Sequence, residues 1–171
     1  MERTRKTRVT CAPGLAPYLK QELEQLGFEC LSMDKTGVEI NASTTDAMRL
    51  NLRLRTAFHV LQRFGDVYCK DADSLYKEAV ALPWERVIDS NGFISVTSSV
   101  KNDTITNSMF PNMRLKDAIC DRMTKETGRR PDSGSGVDRS VVHLHWAKDK
   151  ARIYLNTTGR KLSDRGYRKI P

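Results

Sequence analysis

The first 65 residues carry an alternation of short apolar runs that few folds can satisfy. Val9 to Ala12 reads as a strand closed by Pro13-Gly14. Leu15, Leu19, Leu23 and Leu26, with Tyr18, then recur at three- and four-residue intervals, which is one apolar face of a helix, and Gly27 is placed to stop it. Phe28 to Met33 predicts a strand and Asp34 to Gly37 a turn. Val38 and Ile40, alternating with Glu39 and Asn41, predict the returning strand. Ser43, three residues ahead of Asp46, has the form of a helix cap, and Ala47, Leu50 and Leu54 line the helix behind it. Ala57 to Phe64 completes the series. Strand, helix, strand, strand, helix, strand is a split β-α-β unit, which buries its apolar surface as a small sheet with both helices on one face.

Gly65-Asp66 reads as the junction to a second α/β unit. There Leu75, Ala79 and Leu82 mark a helix that Pro83 ends, and Phe93 to Val100 is a strand. A helix is expected from about Asn112 to Thr127, with Leu115, Ile119 and Met123 inward and Gly128 as its stop. Residues 129–139 are rich in Gly, Ser, Pro and charge and predict a mobile loop. Val141 to Ala147 and Ala151 to Thr157 form a hairpin around Lys148-Asp149-Lys150.

Charge points to a polyanionic partner. The net charge of +8 is spread along the chain, with 10 basic and 7 acidic residues in 1–65 and 19 and 14 thereafter, and such an excess raises encounter rates with phosphate-bearing molecules. Two segments concentrate it. One is the start of the 112–127 helix, where Thr104, Thr106, Asn107 and Ser108 precede Arg114 and Lys116, with Arg122 and Lys125 further along. Hydroxyls, amides and free backbone donors there suit phosphates or ribose hydroxyls. The other is the last thirteen residues, in which Arg160, Lys161, Arg165, Arg168 and Lys169 are offset only by Asp164 and Tyr167 stands ready to stack on a base. This tail stops without an acidic or apolar closing element, as a part of something longer would. Both segments are expected to crowd their cations onto one patch.

Other chemistries find less support. Cys11, Cys30, Cys69 and Cys120 lack zinc or redox spacing, which predicts reduced thiols. The basic N-terminus is followed by no apolar region, so it is not an export signal, and no run approaches the ~20 apolar residues of a membrane span; a cytoplasmic location is expected. Ser133-Gly134-Ser135-Gly136 leads into a strand rather than from a strand into a helix, which argues against a nucleotide loop. His143 and His145 share a strand face without an evident third ligand, so no metal site is expected. No nucleophile, base and orienting partner can be assembled, and the chain alone is not expected to catalyse.

Several of these residues together resemble a known family. Phe110, Arg114, Lys116-Asp117-Ala118-Ile119, Asp121-Arg122, Thr127-Gly128-Arg129-Arg130-Pro131, Val142-His143-Leu144-His145, Tyr154-Leu155-Asn156 and the exit Gly159-Arg160-x-Leu162-x-x-Arg165-Gly166-Tyr167-Arg168 resemble the THUMP domain of bacterial RNA methyltransferases. Asp71-Ala72-Asp73-x-Leu75-Tyr76 and Pro83-Trp84 are similar to its start, and Arg49 to Ala57 is similar to the ferredoxin-like domain that precedes it. The group most resembled is the 23S rRNA guanine-N2 methyltransferases. The resemblance implies an α/β (α+β) chain with a ferredoxin-like domain over residues 1–65 and a THUMP RNA-binding domain over 66–171. It further implies that a catalytic domain with an S-adenosylmethionine site and an Asn-Pro-Pro-Tyr-type motif follows residue 171; neither lies in this chain, which itself would hold no cofactor. The implied partner is structured RNA, rRNA ahead of tRNA, and neither DNA nor membrane. The alternatives are a fragment of a tRNA-modifying THUMP enzyme and a non-catalytic structural or protein-interaction module.

Overall fold

The computed structural model describes residues 3–101, 107 and 109–166. Eight strands and four helices follow in the order β1 (Arg5–Cys11), α1 (Ala16–Gln25), β2 (Ser32–Asp34), β3 (Gly37–Ala42), α2 (Thr44–Arg53), β4 (Ala57–Tyr68), α3 (Ala72–Val80), β5 (Phe93–Lys101), α4 (Met109–Thr127), β6 (Asp132–Ser133), β7 (Ser140–Ala147) and β8 (Lys150–Asn156). Two compact units result, one of residues 3–63 with 156–166 and one of 64–155. The first therefore includes the described part of the tail, which the linear reading assigned to the second.

The first unit orders its strands β2-β3-β1-β4, all antiparallel. Val9 faces both Val38 and Val60 across the ladder. Alternation then puts Val9, Cys11, Val38, Ile40, Ala42 and Val60 on one face, where they pack with Leu19 and Leu23 of α1 and Leu50 of α2. Both helices accordingly cover a single face, as the apolar pattern requires. The cap read from Ser43 is present: its hydroxyl accepts from Asp46 N at 3.1 Å and the Asp46 carboxylate accepts from Ser43 N at 3.1 Å. Those backbone and hydroxyl donors hold the Asp46 carboxyl below its ordinary range. Gly37 is required by close approach, since a Cβ there would lie 2.5 Å from the Val9 carbonyl oxygen. The strand expected over 28–33 shrinks to Ser32–Asp34, whose three residues are all exposed and so gain little from pairing.

In the second unit β8, β7, β5 and β6 are consecutive neighbours. The end of β4 lies beside β8, with Cys69 N donating to Asp149 O at 2.9 Å. The Gly65-Asp66 pair, read as a junction, sits inside β4. β5 runs parallel to β7, so the chain must cross over between them, and α4 is that crossover. Trp84, Trp146, Leu115, Ile119, Met123, Leu144 and Ile153 form the core, and the Trp84 indole donates to Ala79 O at 2.7 Å. The 129–139 stretch is more ordered than its composition suggests. Asp132 and Ser133 pair with Phe93 and Ile94, and a Cβ on Gly134 would lie 2.8 Å from the Phe93 ring, so the small residues there serve close packing.

Candidate nucleic-acid interface

α4 begins three residues earlier than its apolar spacing predicts, because Asn107 starts it: its side-chain oxygen accepts from Met109 N at 2.9 Å. Pro111 is tolerated in this first turn, where its missing N–H has no helical partner to lose. A crossover helix runs antiparallel to the strands it joins, so the start of α4 lies at the C-terminal edge of β5 and β7. Lys101 ends β5 at that edge, opposite Ala147, and its carbonyl accepts from Lys148 N at 3.2 Å. Lys148 occupies the left-handed region at φ 55 and is exposed. Met109, Phe110 and Met113 leave large apolar surface open on the same turn. Ser108, Thr104 and Thr106 lie outside the described residues.

The cations of α4 are not equivalent. Arg114 sits over the Tyr76 ring, its Cζ 4.6 Å from the centroid, and donates to Asp73 at 2.6 Å. Tyr76 in turn donates to Asp121 at 2.7 Å, a bond to a carboxylate that is the main reason its hydroxyl pKa is raised. Arg114 is thereby oriented beside the helix start. Lys116 stands 3.7 Å from Asp117, a weak surface pair. Arg122 sits two turns on, about 12 Å along the axis, and is committed elsewhere. It donates to both oxygens of Glu85, at 3.1 and 2.9 Å, and meets Glu126 at 3.5 Å. The Arg122 bond holds the Glu85 carboxyl below its ordinary value. Arg122 thus ties α4 to the turn at Trp84–Arg86, and the structure separates it from Asn107, Arg114 and Lys116.

The tail differs most from its sequence reading. Arg160, Lys161 and Arg165 belong to the first unit, so the structure does not bring them together with the α4 cations within one unit. Thr157 donates to Val60 O from its backbone at 3.1 Å and its hydroxyl at 2.9 Å. Asn51 donates to Thr157 O and Oγ1 and accepts from Thr158 Oγ1 at 2.6 Å. Leu162 is only 7% exposed and belongs to the core of the first unit. The Lys161 ammonium lies 5.2 Å from the Phe58 ring centroid. Gly159 turns the chain at φ +73, a conformation that other residues reach only with strain. Arg160 is exposed and Arg165 half-buried; Tyr167 and Arg168 lie outside the described residues.

The residues that sequence reasoning set aside are placed as follows. His143 and His145 share a face of β7, and Thr97 Oγ1 lies 2.9 Å from His143 Nδ1. Among the described residues no group of three or more His, Cys, Asp or Glu could hold a metal. His59 has its pKa lowered, first by burial and then by Lys161. All four cysteines are free thiols, and burial pushes Cys69 up to about 12. Among the described residues no helix is long and apolar enough to cross a membrane. Lys101 and Lys148 were missed as site candidates; the hairpin turn was legible, but its place beside the end of β5 depends on the parallel pairing.

Two family models match the chain, the RlmL ferredoxin-like domain over residues 6–61 and the THUMP domain over residues 69–156. The ribosomal RNA large subunit methyltransferase K/L of Psychromonas ingrahamii is 34% identical over 163 residues, 95% of this chain and 22% of that protein. Its counterpart in Pseudomonas aeruginosa is 33% identical over 160 residues, 94% of this chain and again 22% of the relative. The chain therefore spans about a fifth of the length of the curated relatives it matches. Among solved structures, TrmN from Thermus thermophilus has a TM-score of 0.70 at 21% identity over 95% of this chain and 48% of its own, a likeness of fold.

Proposed function

Because the chain belongs to the THUMP-domain family, with an RlmL ferredoxin-like domain ahead of the THUMP domain, we propose that it is the RNA-recognition portion of an S-adenosylmethionine-dependent methyltransferase acting on guanine N2 of 23S rRNA in the cytoplasm. The observation that best supports this reading is the C-terminal edge of β5 and β7. There Asn107 opens α4, Arg114 is oriented by Tyr76 and Asp73, and Lys101, Lys116 and Lys148 add charge. Backbone amides at a helix start and preset cations are suited to phosphates, and they position a nucleic acid without reading its sequence. Modification of a base needs an extruded or unpaired nucleotide, so a separate grip on the RNA contributes placement rather than chemistry.

S-adenosylmethionine is the methyl donor in such a reaction. The described residues do not fit it, since the glycine-rich stretch at 133–136 leads from β6 toward β7 and is packed on Phe93. In this proposal the cofactor is held by the part of such enzymes that lies beyond this chain, and no chemical step is assigned to residues described here.

Fluorescence anisotropy with labelled 23S rRNA segments and with tRNA tests the reading. Affinity is expected to fall by about tenfold or more between about 50 and 200 mM salt. Replacing Lys101, Arg114, Lys116 and Lys148 together by alanine should weaken binding uniformly across RNA sequences. A fourfold variant that binds as well as the parent would overturn the assignment, and tighter binding to tRNA than to every rRNA segment would shift it to a tRNA-modifying enzyme.

A further inference from the structure

Among the described residues the second unit's sheet has its helices on one face, and the residues on its other face form a set that shares only Lys101 with the α4 cluster. In β5, Ile94, Val96 and Val100 point into the core, which leaves Thr97, Ser99 and Lys101 on the opposite side. Parallel register sets Thr97 beside His143 and Ser99 beside His145. In β8 the core takes Ala151, Ile153 and Leu155, so Lys150, Arg152 and Tyr154 face away, and in β4 the core takes Val67, so Asp66 and Tyr68 face away. Tyr154, Val141 and Ser95 on this face are buried, at 1%, 3% and 2% exposure, so its exposed part is the end beside the β7–β8 hairpin.

On this face the described cations Lys101, Lys150 and Arg152 are opposed by one described carboxylate, Asp66, which meets Lys150 at 3.2 Å. Tyr68 is 71% exposed, with the Lys150 ammonium 5.5 Å from its ring centroid. Arg152, half-buried, adds a third cation on the same strand as Lys150. The corresponding face of the first unit differs. There Arg8 meets Asp34 at 2.8 Å and Arg63 meets Glu39, so these two cations are already paired, and Lys6 is exposed beside Arg8.

We propose that the hairpin end of this sheet face is a second RNA-contacting surface, in which Tyr68 stacks on an unpaired base and Lys101, Lys150 and Arg152 contact the neighbouring phosphates. The proposal rests on the RNA-binding reading above and narrows the ligand to an RNA with single-stranded nucleotides. An exposed aromatic ring with cations on the strands beside it suits a splayed strand, because every base offers a π-face and the phosphates that follow it run past those cations. A stacked duplex offers no free base face, so Tyr68 would contribute nothing to binding it.

The test uses the 171-residue chain with a hairpin RNA that carries an unpaired run and with a fully paired RNA of equal length. Tyr68→Ala should weaken binding to the unpaired-run RNA about tenfold and leave the paired RNA unchanged, while Tyr68→Phe stays within about twofold of the parent. Replacing Lys150 and Arg152 by alanine should lower the salt slope by about 1 to 2. Unchanged far-ultraviolet circular dichroism confirms that these substitutions preserve the fold. If Tyr68→Ala binds both RNAs like the parent while the fourfold variant is weakened, this face is refuted and the RNA-binding reading stands. If the parent binds no RNA, both fall. If polyglutamate displaces the RNA with equal affinity and the same dependence on Tyr68, the face takes acidic protein instead and the proposal is overturned.

Discussion

Replacing Leu162 by alanine separates a fastened tail from a solvated one. The change removes three carbons from a side chain that is 7% exposed and packed in the core of the first unit. At about 0.8 kcal/mol per buried carbon the transfer cost is about 2.4 kcal/mol, and because Leu162 is not fully enclosed the cavity contribution is small, so about 2 kcal/mol is expected. The assay is native-state hydrogen exchange of the most protected amides of β1 and β3, which pair across the middle of that sheet. A loss of about 2 kcal/mol lowers their protection about thirtyfold. The control is Arg160→Ala two residues earlier, where the side chain is exposed and the change should stay within about 0.5 kcal/mol. Protection reduced less than about twofold by the loss of Leu162 would refute the packing argument and restore the tail as a free basic strand.

Two further outcomes follow from particular side chains. Glu85 is held below its ordinary value by Arg122, so its contribution to stability is full above the unfolded-state value and is lost as pH falls through the folded-state value. Both tryptophans lie in the second unit, and their fluorescence should show a urea midpoint that declines below about pH 4.5; with Glu85→Gln that decline should become shallower, and an unchanged pH profile would contradict the pairing. Cys30 is half-buried and the other three thiols are buried, so a thiol reagent should label Cys30 first and reach Cys11, Cys69 and Cys120 only on unfolding; prompt labelling of Cys69, whose thiol is pushed up to about 12, would contradict its burial.

The sequence by itself determined the identity and sidedness of most elements. The leucines of α1, the Ser43-Asp46 cap and the alternation in β3 are signals carried within a few residues, and helix and strand periods can be counted without knowing any distant partner. Gly128, at φ +73, ends α4 where composition placed it. Tertiary structure decided the rest. The continuation of β4 through Gly65-Asp66, the pairing of β6 and the return of residues 156–166 to the first unit each depend on partners far along the chain. Asn51 and Thr157, for instance, are 106 positions apart.

The candidate site divides in the same way. That Arg114 and Arg122 are cations on one helix was legible, but their different surroundings were not. Arg114 meets Asp73 and Tyr76 of α3 beside the helix start, whereas Arg122 is held by Glu85. Net charge is a sum over the sequence and is known before folding. Which charges remain available to a partner depends on the carboxylates and rings that folding brings within a few ångströms, because Coulombic and hydrogen-bond energies fall off over that range and a periodicity carries no record of it.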